Sequence, residues 1–153
     1  MSAQVILSAS EDETAAAGEQ FAATLAPGAV VLLYGQLGAG KTAFVRGLAR
    51  GLGASPDDVS SPTFTIIQEY AGRTATLYHV DLYRLDPAEA DELGLDELVS
   101  GEGVVAIEWA ERMVEFVLPR VPYRQLVFTI PVALRKIFLR DRALYGELCR
   151  IVY

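Results

Sequence analysis

The chain has 153 residues, enough for a single domain (1–153) that buries roughly 70% of its unfolded surface. Its 20 acidic against 13 basic residues, net charge −7, disfavour stand-alone binding to DNA or RNA, because neutralising phosphates supplies most of that affinity. One cysteine, Cys149, excludes an internal disulfide; no signal-peptide pattern opens the chain, and its longest apolar stretch, 21–34, is too short to span a membrane, so a cytoplasmic protein is expected.

Val5-Ile6-Leu7 reads as a short strand. Ser10-Glu11-Asp12-Glu13 then has capping-box spacing, and Ala17, Phe21 and Leu25 form the apolar stripe of a helix that Pro27-Gly28 ends. Val30-Val31-Leu32-Leu33-Tyr34 is a buried-strand pattern. It runs into Gly35-Gln36-Leu37-Gly38-Ala39-Gly40-Lys41-Thr42, a complete G-x-x-x-x-G-K-T loop, followed by a helix from Ala43 that closes at Gly51-Leu52-Gly53. Strand, loop and helix in this order bring backbone N–H groups and a helix N-terminus onto one anion. Lys41 would neutralise the β- and γ-phosphates, and the Thr42 hydroxyl would ligate Mg²⁺. The bland alternative is a glycine-rich turn that merely joins a strand to a helix.

A polar loop, 55–63, comes next. Residues 64–70 and 74–82 read as an antiparallel hairpin across Ala71-Gly72-Arg73, and 87–99 as a helical patch broken at Gly94. A buried strand, 103–107, ends in Glu108-Trp109. Residues 126–130 and 136–139 read as late strands, and 143–152 as a terminal helix. Strands alternating with helices around a phosphate loop predict a three-layer α/β fold, with antiparallel strands added to a mainly parallel sheet.

Chemistry needs an acid for the metal and a group to orient the nucleophile. Asp81 and Glu108 each close an apolar run, at strand ends where ligands bind in open α/β sheets. Either could hold the metal through a water or orient the attacking water, and either could instead cap a neighbouring helix; spacing does not rank them. In Ser60-Ser61-Pro62-Thr63, Thr63 could sense a γ-phosphate, or the segment could be a plain Ser-Pro turn. His79, the lone histidine, could line the site beside Asp81, but a satisfied structural role is favoured. Trp109 should point to the face opposite Glu108, and core packing is favoured for it over covering a nucleotide.

The phosphate loop, Ser61-Pro62-Thr63-Phe64-Thr65, Tyr78-His79-Val80-Asp81-Leu82-Tyr83-Arg84, Glu92-Leu93-Gly94 and Ile107-Glu108-Trp109 occur in the order and spacing of the TsaE (YjeE) family. The resemblance covers roughly residues 5–120. It implies a three-layer P-loop NTPase fold and a Mg²⁺-dependent ATPase, slow alone, that serves threonylcarbamoyladenosine modification of tRNA. The partners it implies are TsaB and TsaD homologues, with tRNA reached only through that complex and ATP acting as a switch. It makes residues 35–43 the nucleotide cradle, from Gly35, Gln36, Leu37, Gly38, Ala39 and Gly40 through Lys41, Thr42 and Ala43. Glu108 becomes the Walker B metal acid beside Thr42, Asp81 a second acid needed for hydrolysis, and Thr63 part of a switch-like loop. Glu11 matches a position near the base. The chain departs from the family pattern at its C-terminus: a glycine-arginine turn is replaced by Pro131-Val132-Ala133-Leu134-Arg135-Lys136, with Arg135 the nearest candidate for the arginine. The tail, about 131–153, is unusually apolar and could join the core or meet a partner. A small-molecule kinase is the alternative, but no arginine-rich lid is visible. A GTPase would need an N-K-x-D segment, and both lysines, Lys41 and Lys136, lie elsewhere.

Overall fold

A computed structural model describes residues 4–112, 123–129 and 149–152 of the chain. Its strands are β1 (Val5–Ser8), β2 (Val30–Tyr34), β3 (Ile67–Tyr70), β4 (Leu77–Asp81), β5 (Val104–Glu108), β6 (Tyr123–Thr129) and β7 (Cys149–Val152). They form one sheet in the order β1-β7-β6-β2-β5-β4-β3. The central run β6-β2-β5-β4 is parallel. Antiparallel strands extend it on both sides, β3 on β4 at one edge, and β7 and β1 beyond β6 at the other. The helices are α1 (Glu11–Ala22), α2 (Lys41–Gly51), α3 (Pro87–Asp91) and α4 (Leu95–Val99).

The parallel strands are apolar on both faces because helices cover both faces. Alternate residues of β2 separate cleanly: Val31 and Leu33 join Phe21, Phe44 and Leu48 under α1 and α2, whereas Val30 and Leu32 join Ala90, Leu95 and Val99 under α3 and α4. The same parity puts His79, Asp81 and Glu108 on the α2 side of the sheet. That side therefore carries the ionisable side chains of β4 and β5 named as candidates.

Local signals explain the helices. Ser10, extended at φ −153, caps α1 by accepting from the Glu13 amide at 3.1 Å, while the Glu13 carboxylate reaches back to the Ala9 amide at 2.7 Å. Helices α1 and α2 lie so close that a Cβ on Gly47 would sit 1.8 Å from the Ala15 carbonyl oxygen. Gly94, at φ 65, separates α3 from α4 where the sequence predicts the break.

Several boundaries differ from the sequence reading, among them the strand expected at 126–130, which is Tyr123–Thr129. The hairpin strands are shorter than expected, because Ile66 turns at φ 68 and its carbonyl accepts the Asp81 amide at 2.9 Å. The expected terminal helix over 143–152 is corrected for its last residues, since Cys149–Val152 is a strand between β1 and β6. Ile151 and Val152 suit a strand, and the position pairs backbone groups of β1 and β6 that would otherwise be open edges. Residues 143–148, the expected strand 136–139 and Arg135 lie outside the described residues.

Candidate functional site

Strand β2 is essentially solvent-free from Val30 to Leu33 and ends at the phosphate loop. Gly38 (φ 76) and Gly40 (φ 96) take left-handed conformations that curl the loop, and Gly40 stands at the N-cap of α2 without a side-chain cap. No side chain caps this end of α2, and the positive end of a helix dipole suits an anion. A cavity of about 480 Å³ opens here. Its floor is the loop from Leu37 to Ala43, and its walls are Glu11 and Arg46 on one side and Ser61, Thr63, Asp81, Tyr83, Glu108 and Trp109 on the other. Gly35 and Gln36 do not line the cavity. Their carbonyls accept from the Lys41 ammonium at 2.6 and 2.9 Å.

Lys41 is buried at 4% exposure, and its Nζ also lies 4.1 Å from the centre of the Trp109 ring. Carbonyl oxygens and a π face replace part of the water that a buried ammonium gives up. Trp109 meets the expected core position only in part. It is half-buried against the α3–α4 core and also faces the cavity, packed at a 45° tilt against Tyr83 with ring centres 4.8 Å apart. The expectation assumed that strand alternation would continue; instead the backbone turns at Trp109 to φ 60, its amide donating to the Leu33 carbonyl at 3.1 Å.

The two carboxylates are opposite each other on neighbouring parallel strands, Asp81 in register with Glu108, and both are 3% exposed. Their partners distinguish them. Glu108 Oε1 accepts the Thr42 hydroxyl at 2.8 Å and faces His79 Nε2 at 2.9 Å. Asp81 Oδ2 accepts the hydroxyls of Ser61 at 2.8 Å and Thr63 at 3.0 Å, and its Oδ1 accepts the Tyr83 amide at 2.9 Å. Glu108 belongs to the phosphate loop and Asp81 to the Ser61–Thr63 loop. His79 lies wholly buried beneath Glu108 and does not line the cavity.

The oxygen donors fit Mg²⁺. Thr42 spends its hydroxyl proton on Glu108, which leaves its oxygen lone pairs for a cation. Among the described residues no group of three or more His, Cys, Asp or Glu forms a cage of its own. Mg²⁺ at phosphate sites is usually held by one or two protein oxygens plus phosphates and waters, so Thr42 with Glu108 is a sufficient protein share. At the rim, Glu11 pairs with Arg46 at 3.6 Å. An exposed pair of this kind is worth only about 0–1 kcal/mol, so it leaves both groups available. Close by, burial, then Tyr123 and Glu111, push the Tyr34 phenol above its usual range, so it adds no charge beside the loop near neutral pH.

Sequence reasoning did not single out Arg46, quoted Ser61 and Tyr83 only within motifs, and placed Trp109 over the nucleotide only as the less favoured alternative. Arg46 was within reach, since it stands one helical turn after Thr42 on the same face of α2. The cavity-facing part of Trp109 goes with the turn at that residue, φ 60, which no periodicity announces.

A family profile described as threonylcarbamoyl adenosine biosynthesis protein TsaE matches residues 8–136. Among characterised relatives, a protein of Bacillus subtilis named tRNA threonylcarbamoyladenosine biosynthesis protein TsaE is 49% identical over 109 residues, covering 71% of this chain and 67% of the relative. The protein of the same name from Synechocystis is 46% identical over 109 residues, covering 69% and 66% respectively. The matches thus span about two thirds of these relatives' lengths. The crystal structure of Bacillus subtilis YdiB superposes with a TM-score of 0.72 at 33% identity, over 99% of this chain and 84% of that one. With the loop, the sheet order and these likenesses together, the chain belongs to the TsaE family and has its P-loop NTPase fold.

Proposed function

We propose that this protein binds ATP with Mg²⁺, hydrolyses it slowly by itself, and acts in the cytoplasm as a nucleotide-dependent switch on a complex of TsaB and TsaD homologues. At the coarser level, the TsaE family to which the chain belongs serves tRNA threonylcarbamoyladenosine biosynthesis, through P-loop nucleotide binding. The observation that carries the proposal is the 2.8 Å bond from the Thr42 hydroxyl to Glu108, at the start of α2, where no side chain caps the helix.

In this reading the loop amides and the start of α2 bind the phosphates. Lys41 exchanges the Gly35 and Gln36 carbonyls for phosphate oxygens. Mg²⁺, held by Thr42 and Glu108, would neutralise charge developing on the β- and γ-phosphates. Asp81 holds Ser61 and Thr63 at the cavity wall, where a γ-phosphate could draw the Thr63 hydroxyl to itself and change the loop. Phe64, 81% exposed next to Thr63, would then carry that change to a partner surface. Glu11 and Arg46 would flank the base, and Arg135 remains the candidate for the arginine near the nucleotide. The acidic charge supports contact with tRNA through partners only.

The test is ATP turnover with labelled γ-phosphate, with and without purified TsaB–TsaD. The expected result is free phosphate, released at least about tenfold faster with the complex, a modest share of the 10³–10⁵-fold that trans-acting groups supply in other P-loop proteins. An unchanged basal rate would remove the switch reading. Label transferred to a small molecule would establish the kinase alternative instead.

A further inference from the structure

His79 is a wholly buried polar side chain, in contact with Glu108, to which the proposed function gives no task. Its Nε2 stands 2.9 Å from Glu108 Oε1, and its Nδ1 is buried with no hydrogen-bond partner among the described residues. A carboxylate oxygen accepts, so Nε2 carries the proton of that bond, and Nδ1 has no partner. One imidazole nitrogen is thus committed to Glu108 while the other gains nothing from the fold. That asymmetry is not expected of a histidine kept only as core filling, which would bond through both nitrogens or be replaced by an apolar side chain.

The position is fixed by the sheet. His79 and Asp81 alternate on the same face of β4, and Glu108 is the β5 residue in register with Asp81. From there the imidazole reaches Glu108 from the core side, and Thr42 reaches the same oxygen from the cavity side. We propose that His79 is a positioning residue which, through its Nε2–H bond to Oε1, holds the Glu108 carboxylate in the orientation that Thr42 and a Mg²⁺·nucleotide require. It touches neither substrate nor metal; it acts through Glu108, as the partners of ligating carboxylates do at metal sites. The inference rests on the nucleotide reading of the site.

The test uses the full chain and ATP binding measured by calorimetry across a Mg²⁺ series, together with turnover. Glutamine places an amide N–H near the Nε2 position, whereas asparagine places one near Nδ1. For His79→Leu and His79→Asn the half-saturating Mg²⁺ concentration should rise about 10–100-fold, with Mg²⁺-free ATP affinity unchanged, and His79→Gln should stay within about threefold of wild type. Adding His79→Leu to Glu108→Ala should cost nothing further, because both remove the same interaction. A wild-type Mg²⁺ requirement in His79→Leu, equal behaviour of the Asn and Gln variants, or additive losses would each overturn the proposal. If the variants do not fold, the wild-type protein decides it. His79 is the only histidine in the chain, so its long-range ¹H–¹⁵N spectrum is unambiguous: the Nε2–H tautomer is expected, and an Nδ1–H tautomer overturns the assignment. Wild-type protein that binds no ATP would remove the nucleotide reading and this inference with it. Wild-type binding with an unaffected His79→Leu removes the inference alone.

Discussion

Asp81 and Glu108 are acids at the ends of neighbouring strands, and their hydrogen-bond partners separate them. Glu108 takes the hydroxyl of the phosphate-loop threonine; Asp81 takes the hydroxyls of Ser61 and Thr63. Glu108→Ala is therefore expected to lower kcat by at least about a hundredfold while ATP still binds, since oriented charge at the reacting phosphate is lost and the loop amides are kept. Turnover and calorimetric binding on the same preparation check this, and wild-type turnover would transfer the metal role to Asp81. Both acids were legible as candidates because each closes an apolar run. Spacing did not divide their labour; the family resemblance alone gave Glu108 the metal and Asp81 a second role, and which carboxylate faces Thr42 is a matter of the tertiary fold. Trp109 makes the same point: its φ of 60 takes the ring out of strand alternation and against Lys41, and a period-two pattern cannot anticipate a turn at its own last residue.

At the scale of elements, α1 and α2 were readable from capping residues and apolar spacing, but the reason they contain Gly18, Gly47 and Gly51 was not. Each of these glycines stands where a Cβ would meet the other helix, and at Gly47 the clash is with backbone, the Ala15 carbonyl at 1.8 Å. Backbone cannot swing aside as a flexible side chain can. Gly47→Ala should therefore destabilise the protein by about 1–3 kcal/mol, despite alanine's better helix propensity. Urea unfolding measures it, with Gly101→Ala as the comparison, where the nearest atom to the added Cβ is 3.4 Å away. Equal midpoints for the two variants would show that α1 can move away from α2. The last strand is the converse case. Cys149–Val152 reads as the end of a helix when taken alone, and becomes a strand because β1 and β6 each offer it an edge.

For the whole molecule, the site joins residues from the start of α1, the phosphate loop, the Ser61–Thr63 segment and the ends of β4 and β5. A ligand there ties these parts together and stabilises only the folded state. ATP with Mg²⁺ at about a hundred times its Kd should add about 2.7 kcal/mol and raise the thermal midpoint by roughly 5–10 °C. Chelating the metal with EDTA should remove most of that shift, and an equal shift with and without Mg²⁺ would argue against Thr42 and Glu108 as its protein ligands. The sequence by itself determined the phosphate loop and its strand–loop–helix setting, because all the parts of that anion site are consecutive in the chain and need only local geometry. It also determined the alternation of apolar runs that makes the sheet. Only the tertiary structure sets Glu108 rather than Asp81 against the Thr42 hydroxyl, since Thr42 and Glu108 are 66 residues apart and meet only through the pairing of β2 with β5. It decided the place of His79 beneath Glu108 in the same way, since a hydrogen bond between strands depends on register, and register is a property of the assembled sheet.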